Sequence, residues 1–178
     1  MANTLEQYRS VVNRCKDLYL KKATDYGTSW RVLRTISIVD QIYIKAWRIR
    51  QIQENGTQKI EDTIESEFVG IVNYGIIALI QLAMNENDAT ELDAAQAKLW
   101  YETEAQKVED LMQQKNHDYG EAWREMSQQS FVDLILVKLL RVKQILANDG
   151  KTIVSEGIDA NFADMVNYAV FALINAKK

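Results

Sequence analysis

Apolar residues recur every three or four positions along most of the chain, which is the spacing of one face of an α-helix. Leu5, Tyr8, Val11, Val12, Cys15, Leu18 and Tyr19 make such a face and predict an amphipathic helix over residues 4–23, with Thr4 as its cap. The same periodicity predicts helices over about 36–53, 60–84, 89–116, 130–147 and 158–176. Turn-forming residues punctuate them at Asp25-Tyr26-Gly27, Asn55-Gly56, Asp118-Tyr119-Gly120 and Asn148-Asp149-Gly150. Asn85-Glu86-Asn87-Asp88 is the natural linker, and no stretch alternates in the manner of a strand. The expectation is an all-α protein.

The polar positions repeat as well. Lys115, Asp118, Tyr119, Gly120 and Trp123 recur 93 residues earlier as Lys22, Asp25, Tyr26, Gly27 and Trp30. Asp133, Lys138, Arg141, Gln144 and Asn148 recur as Asp40, Lys45, Arg48, Gln51 and Asn55. After one inserted residue, Asn167-Tyr168 matches Asn73-Tyr74. Helical amphipathicity constrains apolar positions only, so matched polar residues mark an internal duplication. Residues 1–84 and 89–178 are then two three-helix repeats, expected to pack as one domain about a pseudo-twofold axis, like a homodimer fused into one chain. The two central helices are expected to touch.

The central helix of the second repeat has nine apolar residues among the twelve from Phe131 to Val142. Side chains at 100° intervals would then be apolar all round, which predicts a buried helix carrying Asp133, Lys138 and Arg141 in or beside the core. Buried charge needs partners. Either the three form an internal ion network, or Lys138 and Arg141 face a pocket and await an anion such as phosphate.

The last helix carries Asn161, Asp164 and Asn167 on one face, with Glu156 and Asp159 just upstream. Such carboxylates suit Mg²⁺, which takes oxygen ligands and keeps several waters. They equally suit a solvated helix start. The first repeat has Glu67, Gly70 and Asn73 on the corresponding line, so neither repeat holds both acids of a Glu-x-x-Asp pair. Asn73 and Asn167, inside apolar helices, require partners across the pseudo-twofold or in a ligand. Asp118, Tyr119 and Trp123 stand at a helix break: an aromatic there can stack on a base and Asp can read its hydrogens, or Tyr and Trp can close the bundle end.

Composition narrows the setting. Proline is absent, the single cysteine excludes an intrachain disulfide, and a net charge of -4 argues against an extended nucleic-acid surface. The first residues show no secretory pattern, and the apolar stretches read as too interrupted to span a bilayer, so a soluble cytoplasmic protein with no membrane partner is expected. The lone His117 excludes a histidine metal cage.

Lys-x-x-Asp-Tyr-Gly-x-x-Trp-Arg, the Asp-x4-Lys-x-x-Arg helix and the closing Asp-x-x-Asn-Tyr together resemble a bacterial and phage family, nucleotide modification associated domain 1. The resemblance spans 115–174 and, more loosely, 22–80, and it implies a role around nucleotides. A further likeness is to the all-α nucleoside triphosphate pyrophosphatases of the MazG and dimeric dUTPase type. Their Mg²⁺ site uses a Glu-Glu-x-x-Glu helix and a later Glu-x-x-Asp helix. The run Asn161 to Tyr168 looks like the later motif with its Glu replaced by Asn, and neither central helix contains Glu-Glu-x-x-Glu.

The resulting expectation is a nucleotide-handling protein whose site leans on the second repeat. Asp164 and Asp159 would be catalytic, with Glu156 joining them around Mg²⁺. Lys138 and Arg141 would neutralise phosphates, and Asp118, Tyr119, Trp123 and Asn167 would hold the nucleotide or modified nucleotide. The alternative is a non-catalytic nucleotide-binding or structural module; a second copy of the chain is a further candidate partner.

Overall fold

A computed structural model describes residues 3–177. Its six helices are α1 (Thr4–Tyr26), α2 (Thr35–Asn55), α3 (Ile64–Ala83), α4 (Ala94–Tyr119), α5 (Gln128–Ala147) and α6 (Ile158–Asn175), with no strand among the described residues. Two short 3₁₀ turns, Ser29–Val32 and Ala122–Glu125, follow α1 and α4 and carry the two motif tryptophans. The helix starts follow local chemistry. Asn3, rather than Thr4, caps α1 by accepting from the Glu6 amide; the Thr4 hydroxyl bonds Glu121 across the fold. Thr63 caps α3, and Asp93 with Gln96 closes a capping box on α4. Ser127 caps α5 by accepting from the Ser130 amide.

Each helix packs against its own counterpart: α1 on α4, α2 on α5, α3 on α6. The other helix–helix contacts also come in exchangeable pairs, α1 on α6 with α4 on α3, α1 on α3 with α4 on α6, and α2 on α3 with α5 on α6. Exchanging the repeats therefore maps the packing onto itself, as a pseudo-twofold requires, and the central helices touch as expected. One continuous apolar core takes residues from both repeats. At its centre α3 and α6 approach closely, because a Cβ on Gly75 would stand 2.5 Å from Val166 Cγ2. By length and composition α3 is apolar enough to cross a bilayer, which corrects the reading of interrupted stretches. Here its apolarity is that of a core helix, since most of it is buried among α2, α4 and α6.

The central helices are not buried all round. Ile44 and Trp47 on α2 and the matching Val137 and Leu140 on α5 are exposed, as are Asp133 and Arg141. Helix α5 packs mainly on α2 and α6, so one side faces outward despite its composition. The expected network of Asp133 with Lys138 and Arg141 does not form. Asp133 pairs instead with Arg50 at 3.5 Å, and its counterpart Asp40 with Lys143 at 3.5 Å, two matched bridges across the α2–α5 seam. Both are largely exposed, so solvent screening leaves them little weight in stability.

The buried asparagines find their partners inside the fold. Tyr101 on α4 donates to Asn73 Oδ1 at 2.7 Å, and Tyr8 on α1 donates to Asn167 Oδ1 at 2.7 Å. The two amides donate in turn to the Cys15 and Val108 carbonyls, positions that are also 93 apart. Each repeat thus supplies the hydroxyl that satisfies the other's asparagine. Burial pushes both phenols well above the usual tyrosine range, with charges of Glu109 and Cys15 adding at Tyr8. Burial likewise pushes the Cys15 thiol up to about 12.

Removing either hydroxyl strands a buried amide oxygen. Tyr101→Phe and Tyr8→Phe should each lower unfolding free energy by about 1–3 kcal/mol in urea titrations. Unchanged midpoints would show that these bonds do not join the repeats.

Candidate functional site

The two repeats bury one carboxylate each in the last helix, at different places, and this difference shapes two cavities. In α3 the acid is Glu67, one turn from the helix start. It lies 3.1 Å from Arg48 Nη1 and 3.8 Å from Lys45 Nζ, both on α2. The other arm of Arg48 donates to the carbonyls of Ile60 (3.2 Å) and Asp62 (2.7 Å), and Gln58 donates to the same two. The α2–α3 loop is therefore fastened to α2 through Arg48.

In α6 the position of Glu67 is taken by Asn161, whose amide donates to the Gly157 carbonyl. The acid is now Asp164, one turn later, where α3 has Gly70. Asp164 is 5% exposed and lies between two lysines, 2.7 Å from Lys115 and 2.9 Å from Lys138. Burial disfavours the charged Lys115, but the hydrogen bond and charge of Asp164, with Glu156 and Tyr168, outweigh it and raise its pKa. The Tyr168 phenol is raised too, by burial first and then by Asp164, with Lys115 and Arg141 opposing.

A cavity of about 590 Å³ opens in the first repeat where Asp164 has no equivalent, lined among others by Lys22, Tyr26, Trp30, Lys45, Gly70 and Tyr74. That volume suits a nucleotide-sized ligand. Its walls come from α1, the 3₁₀ turn, α2 and α3, so three separated motif stretches meet there. A Cβ on Gly70 would lie 2.8 Å from Lys45 Cδ and Cε, so glycine is what leaves room for that side chain. Lys22, counterpart of Lys115, has no ion-pair partner among the described residues. Lys45 Nζ sits 5.8 Å from the centre of the Tyr74 ring. Tyr26 stands at the mouth, 57% exposed, and its charge adds to burial in raising the Tyr74 phenol. Thr28, fully buried, anchors this corner by donating to the Thr90 carbonyl and accepting from the Leu92 amide.

Of the residues named from sequence, Lys138, Arg141 and Glu156 line one groove between α5 and the loop before α6, and the others fall elsewhere. Lys138 is bound to Asp164, whereas Arg141 is exposed and without an ion pair among the described residues. Asp118 and Tyr119 lie on the surface, Asp118 beside His117 at 3.1 Å. Trp123 closes the bundle: it stacks on Phe171 at 4.3 Å, and its ring N–H donates to Asn116. Asn167 is committed to Tyr8 and Val108. Asp159 lines a shallow groove with Glu104 and Lys107, and Glu156 lies in the α5–α6 loop beside a different groove. Asp164, Asp159 and Glu156 therefore line no common cavity, and among the described residues no three His, Cys, Asp or Glu are arranged to hold a metal ion. Lys115, Lys22, Lys45 and Tyr74 were absent from the expected site. The 93-residue spacing flagged the lysines, and the Gly70-for-Asp164 exchange was the signal for the open cavity.

Residues 22–82 and 115–176 each match the family model described as nucleotide modification associated domain 1. No curated protein and no solved structure gives a match, so the likeness to the all-α pyrophosphatases gains no support.

Asp164→Asn should leave two lysines facing a neutral amide. The expected cost is on the order of 3 kcal/mol, the lower end for a broken buried pair because Lys115 is half exposed. The folded pKa of Lys115 is raised, so its contribution holds below the ordinary lysine value of 10.5 and fades only as pH rises through the higher folded one. An unchanged denaturation midpoint at pH 7 would contradict the pairing.

Proposed function

We propose, for a chain that belongs over both repeats to the nucleotide modification associated domain 1 family, that it binds a nucleotide or modified nucleotide in the cavity of the first repeat. The observation that carries the reading is the meeting of Lys22, Tyr26, Trp30, Lys45 and Tyr74 around one opening of about 590 Å³. The lysines suit phosphate oxygens, Lys22 most of all because no carboxylate neutralises it. Tyr26 and Tyr74 offer ring faces to a base, and base–aromatic stacking contributes about 1–3 kcal/mol per base. Lys22 and Tyr26 are exposed at the opening and Lys45 and Tyr74 are half-buried within it, so each level of the cavity offers one cation and one ring. Glu67 is engaged by Arg48 and Lys45, which leaves it as a positioning group for Lys45.

A Mg²⁺-dependent pyrophosphohydrolase would need carboxylates gathered near the phosphates. Asp164 has both oxygens against lysines, and Asp159 and Glu156 line other grooves, so binding rather than hydrolysis is the function these residues support best.

Calorimetric titration of nucleoside mono-, di- and triphosphates, with and without Mg²⁺ and with products assayed afterwards, tests the reading. Wild type should show a binding event at the first-repeat cavity. Lys22→Ala should weaken binding about 10- to 100-fold, from a charged hydrogen bond of roughly 1.5–3 kcal/mol. Gly70→Asp should abolish it by giving Lys45 and Lys22 an internal carboxylate. Undiminished binding by Gly70→Asp, or loss of binding in the exposed Asp118→Asn, would place the ligand elsewhere.

A further inference from the structure

The groove between the end of α5 and the loop 148–157 repeats the setting of Arg48 with one component missing. It measures about 630 Å³ and is lined by Arg141, Lys151, Asn161 and Glu156 among others. In the first repeat, Arg48 is held by the Glu67 carboxylate on one arm and by the Ile60 and Asp62 carbonyls on the other. The carboxylate thus completes a clamp that fastens the α2–α3 loop. In the second repeat the arginine is kept and the carboxylate is replaced by Asn161, whose amide is turned to Gly157. Arg141 then has neither an ion pair nor a loop carbonyl among the described residues. The loop stands away from it, with Ile153 100% and Val154 94% exposed.

Asp164 does not fill the gap, since Lys115 and Lys138 take its two oxygens. Glu156, on the rim, is not within ion-pair distance of Arg141, and it lends negative charge to Lys115 and Tyr168 instead. Lys151 adds a further cation to the same groove, which Lys138, held by Asp164, also lines.

We infer that this groove is a second anion site, in which an external phosphate group takes the place that Glu67 occupies in the first repeat and draws the loop 150–157 onto Arg141. The first repeat is its internal template: the same arginine, at the same helix position, already grips a carboxylate there and holds its loop. A phosphate suits the second repeat because Arg141 presents a bidentate fork and Lys151 supplies a further positive charge. The site is separate from the lysine–tyrosine cavity of the first repeat, so it stands or falls without it.

Thermolysin, which cuts before exposed Ile and Val, reads the loop directly at Ile153 and Val154. Inorganic phosphate should slow cleavage there severalfold in wild type, beyond the effect of chloride at equal ionic strength. Arg141→Gln should lose that protection while keeping its unfolding midpoint. Asn161→Glu, which restores the carboxylate of the first repeat, should be protected without phosphate and gain nothing from it. Equal protection by chloride, full protection in Arg141→Gln, or an Asn161→Glu loop cut as fast as wild type would each overturn the proposal.

Discussion

A single buried carboxylate in the last helix of each repeat sets what the rest of the repeat does. An ionised acid removed from water requires cationic or hydrogen-bonding partners. In α3 it stands at residue 67, beside Arg48, and the loop before the helix is fastened through that arginine. In α6 it stands one turn later, at residue 164, beside Lys115 and Lys138, and the corner between α4, α5 and α6 is filled by three charged side chains. One turn of helix is about 5.4 Å, enough to change which cations are reached. The first repeat consequently has an open lysine–tyrosine cavity and a fastened loop. The second has a filled corner and an unfastened loop.

This asymmetry sits on a scaffold that is symmetric where it holds the repeats together. The hydrogen bonds from Tyr8 and Tyr101 to Asn167 and Asn73 exchange under the pseudo-twofold, as do the bridges Asp133–Arg50 and Asp40–Lys143. A duplicated chain can vary one copy's site while the shared core, satisfied from both sides, keeps its packing. The proposed nucleotide binding in the first repeat and the inferred anion groove in the second would be two outcomes of that freedom.

The helices and the duplication were legible because both rest on periodicity, which a sequence displays directly. The boundaries differ by a few residues, as where the Asp93 cap starts α4 at Ala94 rather than near 89, and where α1 runs on to Tyr26. The burial of the central helix was misread because composition reports apolarity and not coverage: Val137 and Leu140 are apolar yet face outward. The candidate site was legible only as a set of residue types. Lys115 is remote from Asp164 in sequence, so its pairing follows from helix packing that no local pattern encodes. Gly70 read as a missing ligand, whereas its consequence is space for Lys45. Trp123 and Asn167 matched a binding motif yet serve packing, because the same side chains can satisfy a core.

The most direct test moves the acid within the first repeat. The double substitution Glu67→Asn with Gly70→Asp gives α3 the pattern of α6, and amide hydrogen exchange across residues 57–63 reads whether Arg48 still fastens the loop. The position of the carboxylate, if it governs the repeat, should leave those amides exchanging as fast as amides 150–157 do in wild type, with the core of α3 still protected. Exchange of 57–63 as slow as in the unsubstituted protein would contradict that control and return the asymmetry of the two repeats to some other cause.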